Sequence, residues 1–313
     1  MLLRHFIIPT MMLVCGLLAQ SATTLSAQTT MGTMPPGVSN GEALRPDLEQ
    51  TYASWRKAMA EGDARTWQNV TATSRQVELR NRVISEKQPW PGTFFQGILP
   101  GPDIKSLRAL QIFVKGPTAS AVYFGKADFG VSDSSAITDN FIVLRYLQEA
   151  GVWKFDNLRV VKFGTDPELV QQVLQGDFTF LQGPEFQPSG VMPAVAKVVA
   201  PPDYLGELWI TAVGCSIDVE INGQHRTRLE GGSGKELIIG GLKEGANTVT
   251  VKIKEEPDDN TGGNPQLEIG IYGARDAREP ATRYFHFKLP TGTPLPPSLQ
   301  NQFLVGTRAT NPR

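Results

Sequence analysis

The alternation of apolar and polar positions is strongest between Asn140 and Phe163. Phe141, Val143 and Leu147 fall on one face of an extended chain, and Ile142, Leu144 and Tyr146 fall on the other. After Gln148-Glu149-Ala150-Gly151 the pattern resumes, with Trp153 and Phe155 alternating with Val152 and Lys154 before Leu158 and Val160. Runs of β-branched and aromatic residues on either side of a Gly-containing turn predict a hairpin. Both faces are apolar, which predicts a central hairpin covered by helices.

Upstream the period changes. Leu48, Tyr52, Trp55 and Met59 recur at helical spacing after Pro46, which suits a first turn, and Glu61-Gly62 closes the stripe. Asp63 reads as the N-cap of a short helix carrying Trp67 and Val70, and Ser74 as the cap of a third with Val77, Val83 and Ile84 inward. Gln88 to Pro102 is rich in Pro and Gly and reads as a loop whose Trp90, Phe94 and Phe95 must cover something. Strands are predicted over Leu107 to Lys115 and Ala119 to Phe129. Thr165-Asp166-Pro167-Glu168 is a capping-box pattern opening a helix to about Leu174. Phe178 to Pro202 reads as a connector, with Val191 to Val199 extended.

From Tyr204 the texture is that of short strands. Ile217, Val219 and Ile221 alternate with Asp218 and Glu220 before Asn222-Gly223, a two-residue hairpin turn. Similar alternation marks Val249 to Ile253, Leu267 to Ile271 and Phe285 to Leu289. The tail from Thr291 is rich in Pro and Thr and is expected to be mobile.

The fold class predicted is α+β, followed by an all-β antiparallel sandwich. Six segments are expected: a signal peptide over 1–27, a flexible leader over 28–44, an α+β domain over 45–164, a helix and connector over 165–202, a β-sandwich over 203–290 and a flexible tail over 291–313. The signal reading rests on Arg4-His5, the apolar run Phe6 to Leu18 and the small-residue site Leu25-Ser26-Ala27. It implies a periplasmic or secreted protein. The apolar run is too short to span a bilayer, and no other stretch is long enough.

With 30 Lys+Arg against 31 Asp+Glu, charge makes no case for a nucleic-acid partner. If the signal is removed Cys15 leaves with it. Cys215 then has no intramolecular partner, and its apolar context predicts a buried, inert thiol.

Two resemblances add to this. Residues 45 to 164 resemble the nuclear-transport-factor-like, or SnoaL-like, family. Tyr52-Ala-Ser-Trp55-Arg-Lys-Ala-Met-Ala-Glu-Gly62-Asp63, a second helix with Trp67, and Leu144-Arg-Tyr-Leu-Gln-Glu-Ala-Gly151-Val-Trp153-Lys154 carry the likeness. It implies helices on a curved antiparallel sheet, the cystatin-like cone, with a pocket between them. It implies either a small apolar ligand or a homodimer, or else an isomerase or dehydratase. Residues 203 to 290 resemble the galactose-binding-like and carbohydrate-binding sandwiches appended to secreted enzymes. Asp218-Val-Glu-Ile-Asn222-Gly223 and Gly241-Leu-Lys-Glu-Gly245-Ala-Asn247-Thr-Val-Thr-Val251 carry that likeness, which implies a saccharide partner.

Candidate chemistry is sparse. The three histidines, His5, His225 and His286, lie outside the first half of the mature chain, so a His–Asp site is absent there. Weak catalytic candidates are Asp128 and Asp139 with Tyr146 as hydrogen-bond donor; Asp156 reads as a solvated strand position. Candidate ligand contacts are Trp55, Tyr123, Arg145 and Tyr146 in the first half, and Tyr272, Tyr284 and His286 in the second. Arg145, between Leu144 and Tyr146, is expected to face a pocket or interface. Trp209 is ambiguous. No metal and no cofactor are expected: Glu255-Glu256-Pro257-Asp258-Asp259-Asn260 reads as a solvated acidic loop, and Gly231-Gly-Ser-Gly234-Lys235 lacks a phosphate loop's spacing and its strand-to-helix context. The overall expectation is a non-catalytic binding protein.

Overall fold

A computed structural model of the chain describes residues 35–97, 100–129, 138–162, 167–256 and 265–306. The signal segment, the leader up to residue 34, Thr165-Asp166 and residues 257–260 of the acidic loop lie outside them. The chain is α+β with antiparallel sheets. It divides into two compact units. Of the described residues, 35–76 and 94–196 form one, and 77–93 and those from 197 to 306 form the other. In this division 167–196 falls with the helical unit and 77–93 with the C-terminal one.

The first unit is built on a five-stranded sheet of order β1-β2-β3-β4-β5, formed by Ser39–Asn40, Arg108–Lys115, Thr118–Lys126, Asp139–Glu149 and Val152–Lys162. The β4–β5 turn is tight because Ala150 (φ 50°) and Gly151 (φ 83°) are both left-handed, the geometry that matches strand twist. Helix α1 (Arg45–Glu61) buries Leu48, Tyr52, Trp55 and Met59, the predicted stripe. It ends at Gly62, whose φ of 69° favours glycine. Asp63 caps α2 (Ala64–Val70) by accepting from the amides of Arg65 and Thr66. Helix α3 spans Thr73–Ser85, so Ser74 lies inside it rather than at its cap. The expected loop holds a short helix, α4 (Gly92–Gln96), whose Phe94 ring lies 5.0 Å from Trp67.

Both faces of the β4–β5 hairpin are covered. On one side Phe155 packs on Tyr52 and Trp55 of α1 and on Tyr146 of the neighbouring strand. On the other, Phe141 and Val143 form a cluster with Phe113, Val122, Phe124, Leu181, Phe186 and Val173, the last from α5 (Pro167–Gln175). The segment expected to be a mere connector is therefore the cover of this face.

The second unit is all-β apart from Val77–Thr93. Its strands are β6 (Leu205–Ile221), β7 (His225–Leu237), β8 (Gly245–Glu255), β9 (Gln266–Ala274), β10 (Thr282–Lys288) and β11 (Ser298–Val305). The order is β10-β9-β6-β8-β11, with β7 also on β6. The first half of β6 pairs β9 and its second half pairs β8. Between the halves the inward parity changes: Leu208, Ile210 and Ala212 are core, then Cys215, Ile217, Val219 and Ile221. The change falls at Gly214 (φ 72°), inside the β6–β7 register shift between Ala212 and Ser216, where β7 carries Gly231 and Gly232 (φ 80° and 87°). A bulge of this kind bends a strand and re-aims its side chains.

Asn222-Gly223 forms the predicted turn with φ of 53° and 67°. Its Asn222 Nδ2 donates to Asn247 Oδ1 at 2.8 Å, joining the two turn signals that the sequence carries. Asn81, 2% exposed, holds an irregular segment by its backbone: its Nδ2 donates to the Lys197 carbonyl (2.8 Å) and its Oδ1 accepts from the Val199 amide (3.0 Å).

Two expectations are corrected here. Val191 to Val199 is not a strand; Val191, Val195 and Val198 are exposed on irregular chain. The tail is ordered over β11, because Leu299, Phe303 and Val305 pack on the core and the backbone completes the edge of β8. Gly231 to Lys235 lies within β7.

Candidate functional site

The first-half candidates do not assemble into a catalytic site. Tyr146 is fully buried, and its hydroxyl has no hydrogen-bond partner among the described residues. Asp139 begins the same strand, roughly 23 Å away at about 3.3 Å per residue. It is exposed and pairs in register with Lys126. Asp128 is exposed just beyond that end. An Asp/Tyr acid–base pair needs its groups within hydrogen-bond reach, and these are not.

Tyr123 donates instead to Glu49 Oε1 at 3.0 Å, and burial followed by the Glu49 charge pushes its pKa well up. Trp55 is buried between Tyr52 and Phe155, at ring distances of 5.8 and 4.5 Å. Asp156 is not solvated as expected. It is the extra residue of a β-bulge opposite Arg145/Tyr146, mostly buried and 3.7 Å from Arg75 Nε, and burial raises its pKa despite Arg75.

Arg145, expected to face a pocket or interface, is engaged by the chain's own backbone. Its guanidinium donates to the carbonyls of Gln187 and Glu185, each at 2.8 Å, while Ser120 Oγ donates to the Phe186 carbonyl between them. Burial lowers its pKa from the usual arginine value. It is a clasp holding 185–187 against the sheet. This face of the sheet is covered by the chain's own Val173, Leu181 and Phe186.

The second unit presents a different surface. Because inward parity changes at Gly214, Trp209 points outward while Ile210 points in. Outward residues of β9 and β10 lie beside it: Gly270 opposite Trp209, Tyr272 opposite Glu207, Arg283 opposite Tyr272 and His286 opposite Gly270. The Trp209 and Tyr272 rings are 4.6 Å apart at 37°. A Cβ at Gly270 would meet the Tyr272 ring at 2.7 Å, so the tyrosine lies across the bare backbone and leans toward the indole. Lys235 Nζ sits 3.5 Å above the indole, a cation–π contact. Trp209 Nε1 donates to Glu207 Oε2 at 2.6 Å, which fixes the ring plane.

Polar groups ring the aromatics. Glu268 accepts from His286 (2.9 Å) and Lys288 (3.2 Å), and these bonds lower its pKa. Ser233 Oγ donates to Thr211 Oγ1 at 3.0 Å. Of the second-half candidates, Tyr272 and His286 are therefore outward and adjacent. Tyr284 is not, because the β9–β10 register shift between Arg283 and Phe285 turns it toward Tyr204, 6.0 Å away. Arg283 takes the outward place that simple alternation assigns to Tyr284.

Arg283 also lines an open groove of about 620 Å³ with Tyr204, Arg275, Glu279, Tyr284 and Leu304. Arg275 donates to the Tyr204 hydroxyl (2.8 Å) and to Glu244 Oε1 (3.2 Å). Sequence reasoning missed Trp209's orientation, Lys235 and Arg283; the glycine at 214 was the signal for the first.

Cys215 is free and buried, and burial followed by the Glu256 charge raises its pKa. Among the described residues no group of His, Cys, Asp or Glu side chains is placed to hold a metal, and no helix is long and apolar enough to cross a membrane. Comparison with known proteins finds no family model, no curated protein and no solved structure that matches this chain.

Proposed function

We propose that this is an exported, non-catalytic binding protein and that its ligand, a saccharide, docks on the outer face of the second unit. The carrying observation is the outward Trp209–Tyr272 pair, ringed by hydrogen-bonding side chains on a rigid sheet. Saccharides present apolar C–H faces and a rim of hydroxyls. Aromatic surface with polar neighbours matches both.

Three further features support the reading. Strand β6 bends at Gly214 so that its halves pair with different neighbours while both feed one core, the behaviour of a strand shared by the two layers of a sandwich. The helices over a sheet in the first unit fit the cone of the SnoaL-like resemblance. The N-terminal pattern of Arg4-His5, an apolar run and a small-residue site fits export to the periplasm or beyond.

A second reading has one observation in its favour. The orphan Tyr146 hydroxyl, inside a cage of Tyr52, Tyr123 and Phe155, is what a small, mostly apolar ligand with one polar atom would satisfy. The rings there pack on one another, so the outer face is the stronger site.

Screening the full chain on a glycan array tests the proposal. Saturable binding to a defined glycan set, lost in Trp209→Ala and Tyr272→Ala with folding intact, is the expected result. Binding unchanged in both variants would refute the assignment of this face.

A further inference from the structure

Resting on the saccharide reading of this face, we infer that the ligand is an acidic saccharide, with its carboxylates taken by Lys235 at one end of the aromatic pair and Arg283 at the other. The argument is an inventory of the charges around Trp209 and Tyr272. The acidic side chains are already engaged: Glu207 accepts from the indole N–H, and Glu268 accepts from both His286 and Lys288. Lys235 and Arg283, by contrast, carry no ion pair among the described residues. Glu207 keeps its charge, because its indole donor is neutral, so the groups without an ion pair are two cations and one carboxylate, and the face carries a net positive charge.

Their positions make them a pair of brackets. Lys235 is opposite Trp209 on β7, and Arg283 is opposite Tyr272 on β10. Strands lie about 4.8 Å apart, so β7 and β10, separated by β6 and β9, stand roughly 14 Å apart. A saccharide lying across the strands over Trp209 and Tyr272 reaches both ends. Arginine's planar fork suits a carboxylate bidentately, whereas lysine is a flexible point charge.

Lys235 has a second consequence. In the free protein its ammonium covers one face of the indole. A neutral sugar stacking there must displace the cation and gains nothing in return. An acidic sugar offers the displaced ammonium a carboxylate partner, so the same residue disfavours neutral ligands and favours acidic ones. Discrimination by an element that opposes the wrong ligand is a general route to specificity. The groove that Arg283 also lines holds Tyr204 and a second arginine, Arg275, but there Glu244 and Glu279 balance the charge, so the anion-seeking groups are those on the Trp209 face.

The experiment titrates the full chain with a galacturonic-acid hexamer and with the neutral galactose hexamer, by calorimetry. The acidic hexamer is expected to bind about tenfold more tightly, with affinity falling as salt rises. Arg283→Gln and Lys235→Gln are each expected to weaken it about threefold to fivefold. Lys235→Gln should at the same time bind the neutral hexamer no less tightly than the wild type. Circular dichroism of each variant confirms the fold. Equal affinity for the two hexamers, insensitive to both variants and to salt, would overturn the inference and leave the saccharide reading standing. Failure of both hexamers and of all glycans on the array would overturn both.

Discussion

Lys235 Nζ stands 3.5 Å above the Trp209 indole, so the most prominent outward aromatic of the second unit carries a cation on one face. The contact is made by an exposed, flexible side chain and contributes little to folding. Lys235→Ala is expected to lower stability by no more than about 1 kcal/mol. Urea unfolding of the variant checks this; a loss well beyond that would make the lysine a structural residue.

Arg145 is expected to behave in the opposite way. Its guanidinium satisfies the carbonyls of Glu185 and Gln187 under the cover of the first sheet. Arg145→Ala leaves both unpaired and should cost about 2–3 kcal/mol, with Arg145→Lys recovering only part. Glycan binding should be untouched, since the residue belongs to the other unit. A stable Arg145→Ala protein would contradict the clasp.

Tyr146 and Tyr123 offer a paired test of the first unit's interior. The Tyr146 hydroxyl is buried without a partner among the described residues, so Tyr146→Phe should leave stability unchanged or raise it by about 1 kcal/mol. Tyr123→Phe removes the bond to Glu49 and should lower stability by about 1 kcal/mol. Thermal unfolding compares the two; a clear loss in Tyr146→Phe would mean that the hydroxyl is engaged after all.

Much of this fold was legible in the sequence, and what was not has identifiable causes. The α1 stripe, the Asp63 cap and the two hairpin turns were readable because each rests on local chemistry: helical spacing, a carboxylate at an N-cap, and paired left-handed residues at Ala150-Gly151 and Asn222-Gly223. Strand β7 was invisible because Gly231 to Lys235 has no apolar alternation, and its pairing is imposed by β6. Strand β11 was hidden by its polar middle, Gln300-Asn301-Gln302. The candidate surface was half legible. Tyr272 and His286 followed from alternation, but Trp209 was undecidable. Counting by twos back from Ile217 turns it inward, and the bulge at Gly214 reverses that.

That bulge is itself testable. Gly214 has a φ of 72°, where any Cβ is strained. Gly214→Ala should cost about 1–2 kcal/mol. It should also weaken binding on the Trp209 face. Stability and binding both unaffected would show that the parity change does not depend on this glycine.

Glu149 provides a pH signature. Burial opposes its charge, but the hydroxyl and amide of Thr73, with Lys154 at 3.2 Å, outweigh burial and lower its pKa below the ordinary value. The stabilisation is therefore present above the unfolded pKa of about 4.3 and is lost as pH falls through the lower folded value. Glu149→Gln should be less stable than the wild type at neutral pH, and the gap should close on acidification. A gap independent of pH would contradict the assignment.

The most direct test of the central claim follows the indole N–H signals of the full chain by NMR during titration with the galacturonic-acid hexamer. The chain has five tryptophans, and the Trp209 N–H donates to Glu207 on the outer face. The account predicts that the Trp209 signal, assigned by its loss in Trp209→Phe, shifts saturably while those of Trp55 and Trp67, buried in the first unit, stay still. Saturable binding that leaves the Trp209 signal unmoved would contradict it.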